Sequence, residues 1–414
     1  MFDLDRWQEI MNTIQKHKLR TFLTALGVFW GIFMLVFLMG AGKGLENGVM
    51  GLFGSHAKNS VYMGGSFTTK PYMGLQPGRN IQLKNSDIAA IKAQFGDKIA
   101  YLAPRLWMPS GEVIRGDKKG AFDVRGDMPD LVHIDALTVA EGRFLNDLDI
   151  ENKRKIAIVG KRVVEVLFEK GEQVIGEYIK VQNVEYRIAG IMHSNRRGND
   201  AIDDEKTIFL PLTTVQQMTN RPDRIGWFVC SMKPNFGAAE VEHGVKALLK
   251  KRHKVAPDDR QGIWSDNVEE EFGEIMGLFA GIRFLVWFVG IGSLLAGIIG
   301  VGNIMLITVK ERTKEIGVRK ALGATPSSII SMILMESVFL TTIAGYLGLV
   351  CGTLIVYLLN LGVGEGAEFY ANPEVDFRIG VIALLILIIS GAITGLIPAM
   401  QAASINPVIA LKDE

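Results

Sequence analysis

The stretch "KERTKEIGVRKALGATPSS", residues 310–328, decides the fold, because it separates two long apolar segments. Segments 284–309 and 337–364 on either side contain no Asp, Glu, Lys or Arg, and neither do segments 22–42 and 379–411. Each of the four can supply the roughly 20 apolar residues that cross a hydrocarbon core of about 30 Å. The sequence therefore predicts an α-helical membrane protein with four transmembrane helices.

The composition fits a membrane protein with one large water-exposed insertion. The 414 residues include 45 Lys plus Arg and 44 Asp plus Glu, and the mean hydropathy is +0.23. A net charge near zero gives no support for a nucleic-acid partner. The charged residues concentrate between 43 and 283, which is long enough for a folded domain with its own core. The two cysteines, Cys230 and Cys351, are interpreted as inert apolar residues rather than a disulfide.

The first apolar segment has two interpretations, a cleaved secretory signal and a permanent anchor. Its uninterrupted run is too long for a usual signal sequence, and the preceding residues are acidic as well as basic. We therefore expect an uncleaved transmembrane helix.

The basic residues predict the orientation of the spans. They precede the first span, fill the segment between spans two and three, and follow the last span, whereas loop 362–377 has four acidic residues and no Lys or Arg. Because basic loops stay on the cytoplasmic side, both termini and residues 310–328 are predicted to be cytoplasmic. The large insertion and loop 362–377 are predicted to be periplasmic. The basic residues are Lys16, Lys18, Arg20, Lys310, Arg312, Lys314, Arg319, Lys320 and Lys412.

The insertion mixes helix and strand patterns. Residues 85–95 have helical spacing, and 155–160 read as a strand that enters a helix. Alternation on both sides of Gln182 and Asn183 predicts a β-hairpin. The insertion is therefore expected to be an α+β two-lobed periplasmic domain between helices 1 and 2. Near its end, Asp266 and Glu269 are spaced as a capping box that starts the second long helix.

These patterns give a complete domain prediction. Residues 1–19 form an amphipathic helix that either lies on the membrane surface or packs on the protein's own loop. The periplasmic domain has one lobe over 45–110 plus 205–265 and a second over 111–204. The segments are 1–19 (cytoplasmic amphipathic helix), 20–43 (transmembrane helix 1), 44–265 (periplasmic core domain), 266–309 (stalk and helix 2), 310–328 (cytoplasmic element), 329–361 (helix 3), 362–377 (periplasmic loop), 378–400 (helix 4) and 401–414 (cytoplasmic tail).

The sequence lacks the patterns of common catalytic and metal sites. It has no G-x-x-x-x-G-K-[ST], no H-E-x-x-H and no G-x-S-x-G, and its six histidines are scattered. Acidic residues 203–205 are interpreted as a solvated loop rather than an acid/base pair. No catalytic residue, metal or bound cofactor is therefore predicted for this chain. Within the spans only Glu336 is ionisable, so a solute pathway through them is not expected.

Pairs of small residues at four-residue spacing within the spans predict close helix packing and a dimer. The predicted packing residues are Gly27, Gly31, Gly348, Gly352, Gly391 and Gly395, with Ala296 and Gly300 as a further pair.

The opening stretch has the pattern of a helix that stops and reverses. Glu315 and Arg319 form a favourable i to i+4 pair. Gly323 can take the left-handed position after a helix, and Thr325 can cap a new helix that begins at Pro326. The stretch is therefore interpreted as a rigid, exposed element, although an ordinary positively charged loop would satisfy topology alone.

The same stretch carries a family resemblance. "ERTKEIGVRKALGA" (311–324) resembles the FtsX-like ABC permease family, and "HKLRTFLTALGVFWGI" (17–32) is similar to its first span. "EGRFLNDLDIENKRKIAIVGKRVVEVLF" (141–168), with "IGEYIKV" and "YRIAGI", resembles the periplasmic core domain of the macrolide-exporter, MacB-like branch. "IPAMQAASINPVIALK" (397–412) resembles the family's C-terminal ending.

The resemblance implies a multi-pass permease subunit of the bacterial inner membrane. It has no fused ATPase and works with a separate cytoplasmic ABC ATPase that binds ATP and Mg. The resemblance also implies a homodimer or a heterodimer of paralogues that relays ATP-driven motion to the periplasmic domain and drives efflux through a membrane-fusion adaptor and an outer-membrane channel. The competing implied roles are envelope signalling, activation of a cell-wall hydrolase, and lipoprotein release. The implied ATPase-coupling residues are Glu311, Arg312, Glu315, Gly317, Arg319, Lys320, Gly323 and Ala324.

Overall fold

The computed structural model describes residues 18–53, 58–109, 111–135, 137–196, 198–363 and 369–404. The helix predicted over 1–19 and the tail predicted over 401–414 lie almost entirely outside these residues. The chain divides into two compact units, Met1–Val49 with Leu278–Glu414, and Met50–Gly277.

The described helices are α1 (Lys18–Phe53), α2 (Asn85–Phe95), α3 (Asp147–Glu151), α4 (Lys161–Leu167), α5 (Gly198–Glu205), α6 (Leu212–Met218), α7 (Ala238–Arg252), α8 (Val268–Glu311), α9 (Thr313–Ala321), α10 (Pro326–Val363) and α11 (Phe377–Ser404). The strands are β1 (Ser60–Gly65), β2 (Leu83–Lys84), β3 (Ile99–Trp107), β4 (Gly111–Arg115), β5 (Lys118–Asp127), β6 (Leu137–Gly142), β7 (Ile156–Gly160), β8 (Tyr178–Val181), β9 (Val184–Ser194), β10 (Thr207–Pro211), β11 (Arg224–Ile225), β12 (Trp227–Met232) and β13 (Ile263–Asn267).

Four helices in the described residues are long and apolar enough to cross a membrane, which confirms the predicted number of spans. They are Thr21–Gly51, Val268–Glu311, Pro326–Gly362 and Phe377–Ser404. A helix satisfies its backbone groups internally, which a hydrocarbon solvent requires. The four pack through one apolar core, in which Ile32 of α1, Met305 of α8, Ile333 of α10 and Leu387 of α11 are all buried.

The second unit is built on a mixed β-sheet. The strands follow the order β10-β7-β9-β8-β4-β5-β3-β12-β1-β13, and β6 pairs with β9. Strand β10 also pairs with β5, so six strands from β10 round to β5 close into a ring. Strands β3, β12, β1 and β13 continue from this ring as an antiparallel sheet. The expected α+β domain is therefore confirmed.

The two parts of this sheet enclose separate apolar clusters. One cluster joins residues between 61 and 102 to residues between 225 and 263, and includes Met63, Ile91 and Phe228. The other lies between 106 and 215 and fills the strand ring. The predicted lobe limits stay a prediction, but the structure places β10 and α6 with the second cluster, because Ile208 and Leu212 are buried there.

Three local predictions in this unit are confirmed. Residues 85–95 form α2, and β7 runs directly into α4. Strands β8 and β9 form an antiparallel hairpin, in which Val181 pairs with Val184. Gln182 and Asn183 between them have φ of 45° and 65°, as a two-residue hairpin turn requires. Acidic residues 203–205, interpreted as a solvated loop, instead end helix α5, where Asp204 accepts a hydrogen bond from Ser194 at 2.9 Å.

The predicted start of the second long helix is wrong by one residue. Asp266 lies in strand β13, where it pairs with Tyr62, so it cannot cap a helix. Asn267 takes that position, and its side-chain oxygen accepts the Glu269 and Glu270 amides at 3.0 and 3.3 Å. The side-chain nitrogen of Asn267 donates to the Glu242 carboxylate at 2.8 Å. This bond connects the helix cap to helix α7. Glu269 accepts the Ala238 amide and therefore takes no part in a capping box.

Candidate coupling site

The turn between α9 and α10 is a complete helix stop. Gly323 has φ +95°, the left-handed conformation that glycine adopts without strain. Its amide donates to the Lys320 carbonyl at 3.1 Å, and the Ala324 amide donates to the Arg319 carbonyl at 2.9 Å. These two bonds form a Schellman motif, which satisfies the last carbonyls of α9. The predicted reversal at Gly323 is confirmed.

The next helix begins as the sequence predicts. Pro326 is the first residue of α10, where its missing N–H leaves no bond unmade. The Thr325 hydroxyl oxygen accepts the Ser328 amide at 3.3 Å, as an N-cap does. Residues 310–325 thus connect one apolar helix to the next, and the hydrogen bonds described above fix this connection. We name residues 311–325 the turn element.

Three of the four basic side chains of the turn element bind to other parts of the same chain. Arg312 lies 3.2 Å from the Glu336 carboxylate of α10, and both side chains are largely buried. Lys320 donates to the Ala403 carbonyl of α11 at 2.7 Å, and Arg319 contacts Met332 of α10 and pairs with Glu315 at 2.9 Å. The predicted pair of Glu315 and Arg319 is therefore confirmed. These contacts fix the element against two spans, so three of its four basic side chains bind the spans or their own helix, whereas Lys314 is exposed.

The apolar face of α9 also packs inward. Ile316 is buried in the same core as Ile329 and Ile333 of α10. Gly317 is buried beside it. The chain breaks its helical path at Arg312, so α9 is a separate helix from α8.

The outward surface combines acidic and apolar groups. Of the predicted coupling residues, Glu311, Glu315 and Gly323 are exposed, whereas Arg312, Arg319, Lys320 and Ala324 are half-buried. Leu322 is 84% exposed and Val318 is 43% exposed, one helical turn apart. Sequence reasoning missed these two apolar residues, although an i to i+4 apolar pair on a charged helix was the available signal.

Five of the six predicted packing glycines lie where helices approach closely. A Cβ at Gly348 would lie 2.6 Å from the Phe29 carbonyl oxygen, and one at Gly31 would lie 3.1 Å from the Ser293 carbonyl oxygen. Gly352, Gly391 and Gly395 are similarly confined by neighbouring spans. Gly27 differs, because a Cβ there would meet no atom within 4 Å. These distances explain why small residues are needed at five of the six positions. The predicted dimer stays a prediction.

The unit Met50–Gly277, called the periplasmic unit from here on, contains a buried ion network. Arg105 lies 3.0 Å from Asp135 and 2.5 Å from Asp127, and the Tyr62 hydroxyl donates to Asp135 at 2.9 Å. The Arg105 guanidinium also stacks on the Trp227 ring, 4.5 Å from the ring centroid. Burial would lower the pKa of Arg105, but the two carboxylates hold it above its ordinary value. Burial raises the pKa of Asp127, and Arg105 opposes that rise.

This network fits a structural role better than a catalytic one. Its members bind one another, and Arg105 and Asp127 are almost completely buried, so neither reaches solvent. Among the described residues there is no group of three His, Cys, Asp or Glu that could hold a metal.

Comparisons with known proteins agree with these observations. Residues 21–248 match the family described as MacB-like periplasmic core domain, and residues 287–407 match the FtsX-like permease C-terminal family. The macrolide export ATP-binding/permease protein MacB of Psychrobacter arcticus is 28% identical over 99% of this chain and 59% of its own length. The pyoverdine export ATP-binding/permease protein PvdT of Pseudomonas entomophila is 27% identical over 96% of this chain and 58% of its own length. The chain thus spans about three fifths of these relatives.

Among solved structures, the periplasmic region of MacB from Actinobacillus actinomycetemcomitans covers 56% of this chain and 98% of its own, with 19% identity and a TM-score of 0.44.

Proposed function

Because this chain belongs to the MacB-like periplasmic core domain family, as a multi-pass ABC permease, we propose that it transmits the motion of a separate cytoplasmic ABC ATPase to its periplasmic domain. The chain itself performs no catalysis, and ATP and Mg are bound by the ATPase. The motion drives efflux of a periplasmic substrate through a membrane-fusion adaptor and an outer-membrane channel. Both termini and the turn element are cytoplasmic in this proposal, as the basic residues indicate.

One observation carries the proposal, the turn element with its anchored base and exposed tip. Arg312 and Lys320 bind α10 and α11, so a force applied to the element acts on two spans at once. Leu322 and Val318 offer an apolar contact, and exposed side chains of both charges, Glu311, Lys314 and Glu315, lie on the same element. An apolar centre with a charged rim is the usual composition of a protein interface.

The experiment starts from the ABC ATPase that copurifies with the tagged wild-type chain from native membranes. Leu322→Ser removes the apolar tip. The double reversal Glu315→Arg with Arg319→Glu keeps their mutual pair and inverts the exposed charge at 315, but it also replaces the Arg312–Glu315 pair, 3.4 Å apart, by a like-charge contact. Gly323→Val forces a β-branched residue to positive φ, which costs on the order of 1 to 3 kcal/mol and displaces the tip. Each variant should insert normally and lose most of its ATPase association and stimulation in nanodiscs.

Matched controls lie in the periplasmic unit. Leu148→Ser replaces a leucine that is 53% exposed, and Lys98→Glu with Glu240→Lys reverses a surface pair 2.7 Å apart. Both controls should retain ATPase association. Wild-type association and turnover in all three turn-element variants would overturn the coupling role. Copurification of a cell-wall hydrolase, in place of an adaptor and channel, would replace efflux with an envelope-signalling role.

A further inference from the structure

A cavity of about 470 Å³ opens within the unit that contains the four spans, Met1–Val49 with Leu278–Glu414. It lies between α1, α8 and the start of α11. Its volume lies within the range of about 300 to 1,000 Å³ that is typical of small-molecule sites. Its walls are largely apolar, and Phe279 and Val286 are buried in them. The apolar lining residues are Leu38, Met39, Phe279, Ile282, Val286, Trp287, Val375 and Ile379.

Charged side chains surround one end of this cavity. Glu46 pairs with both Lys43, at 3.5 Å, and Arg283, at 3.3 Å, so one carboxylate binds both cations of the lining. Glu374 and Asp376 also line the cavity. Neither forms an ion pair with a basic side chain in the described part of the chain, and both are exposed. The lining therefore has three acidic and two basic side chains, with an excess of negative charge.

The position of the charges along the helices defines the chemistry of the occupant. Apolar residues form the walls within the spans. The charges lie near the end of α1, at Arg283 immediately before the uncharged stretch 284–309 of α8, and just before α11, where each span leaves the hydrocarbon. A molecule that fills the cavity would place its apolar part among the helices and its polar part at the charged end. Because the excess charge is negative and two carboxylates lack an internal cation, a positive group suits that end.

We propose that this cavity binds a cationic amphiphile of drug size. The inference extends the proposed efflux role, and it rests on that role for the biological purpose of the site. Binding of the ligand itself needs no ATPase. The apolar walls supply most of the binding free energy, and Glu374 and Asp376 select positive over negative charge.

The test uses the full chain in nanodiscs, with empty nanodiscs as the baseline. The probe is radiolabelled tetraphenylphosphonium, and tetraphenylborate is a probe of nearly the same shape and opposite charge. Gly42 lines the cavity, and a Cβ there would meet no atom within 4 Å, so Gly42→Leu fills the space without a clash at Cβ. Gly292→Leu is the matched control, because Gly292 is equally open on α8 but does not line the cavity.

The charge variant is Glu374→Gln with Asp376→Asn. The Asp376 carboxylate accepts the Arg378 amide at 3.0 Å, and the asparagine oxygen can keep that helix cap. We expect saturable tetraphenylphosphonium binding to the wild type and to Gly292→Leu, and at least about tenfold weaker binding to Gly42→Leu. The double variant should weaken tetraphenylphosphonium binding about fivefold or more and should not weaken tetraphenylborate binding.

Several results would overturn the site. Equal saturable binding of the two probes, or wild-type binding by Gly42→Leu, would contradict a cation site in this cavity. Copurified phospholipid that Gly42→Leu releases but tetraphenylphosphonium does not displace would make the occupant a lipid. A dimer that Gly42→Leu disrupts, with probe binding unchanged, would make the cavity an interface between copies. If binding fails while Leu322→Ser still abolishes ATPase association, the site is wrong and the coupling role stands.

Discussion

The Arg312 guanidinium lies 3.2 Å from the Glu336 carboxylate and joins the first residue after α8 to a position within α10. The two side chains are only 16% and 9% exposed, so water screens the pair poorly. Loss of Glu336 would leave the largely buried Arg312 with the more exposed Glu315 carboxylate, 3.4 Å away. The pair therefore holds the turn element in place, and it can do so only when both residues are present.

Glu336→Gln should loosen the turn element without preventing membrane insertion. The amide keeps the shape of the carboxylate but removes its charge, so we expect a loss of about 1 to 3 kcal/mol of local stability. Hydrogen exchange of residues 313–322 in nanodiscs should become correspondingly faster. Lys314→Gln, at an exposed position on α9, should leave exchange unchanged. Unchanged exchange in Glu336→Gln would show that the pair does not hold the element.

Cysteine labelling should establish the orientation of the spans. Asp117 is exposed in the turn between β4 and β5, and Lys314 is exposed on α9. With Cys351 replaced by Ala, an impermeant maleimide should label Asp117→Cys in spheroplasts and label Lys314→Cys only after lysis. Burial raises the pKa of Cys230 to about 12, so this native thiol should stay unreactive. Labelling of Lys314→Cys in intact spheroplasts would reverse the topology.

The periplasmic unit should fold without the membrane spans. Residues 45–275 contain both apolar clusters of the strand ring and the adjoining sheet, and need no disulfide. We expect a monodisperse soluble fragment with a cooperative urea transition. Light scattering and circular dichroism would check this, and persistent aggregation across several choices of terminus would count against an independent domain.

Acid should destabilise this fragment through Asp87. Burial would raise the pKa of Asp87, but hydrogen bonds from His253, Arg252 and the Lys84 amide hold it at about 2. The unfolded chain takes up this proton near the ordinary value of about 3.9. The stabilisation, on the order of 2 to 3 kcal/mol, is therefore complete above about pH 5 and is lost progressively as the pH falls through about 2.

Asp87→Asn should consequently show a shallower loss of stability than the wild type between about pH 4 and pH 2, as measured by urea unfolding. Asp97→Asn, an exposed position next to the same helix, should follow the wild-type profile. Parallel profiles for Asp87→Asn and the wild type would exclude this carboxylate as the cause.

Arg105→Met should destabilise the periplasmic unit strongly. It leaves Asp127 and Asp135 buried without their cation, which typically costs about 3 to 5 kcal/mol. Replacing both aspartates by asparagine in the same chain should restore much of that loss. Lys119→Met, which breaks an exposed pair with Glu112, should cost less than about 1 kcal/mol. Urea unfolding would compare the variants, and an equal effect of Arg105→Met and Lys119→Met would contradict the network.

Local patterns in the sequence predicted the features that short segments decide. The spans follow from uncharged runs, the turn at Gln182 and Asn183 from alternation on both sides, and the reversal at Gly323 from glycine's freedom at positive φ. Each of these depends on residues within a few positions of one another.

Long-range contacts decided the rest. Asp266 is excluded from capping by its pairing with Tyr62, two hundred positions earlier in the chain, and no local signal distinguishes it from Asn267. The positive charges of Arg312 and Lys320 suggested an outward surface, but Glu336 and the Ala403 carbonyl turn them inward. The cavity beside Glu46 needs three separate helices, so no sequence window contains it.

The Arg105 network also limits how this domain can change over evolutionary time. A lineage that loses Arg105 alone passes through a form with two stranded carboxylates, and one that loses Asp127 or Asp135 alone upsets the same balance. Substitutions at these positions are therefore strongly epistatic, because the effect of each depends on the state of the others. Descendants can keep the three charges together or exchange them together for a neutral core, and the intermediate genotypes are the ones that selection removes.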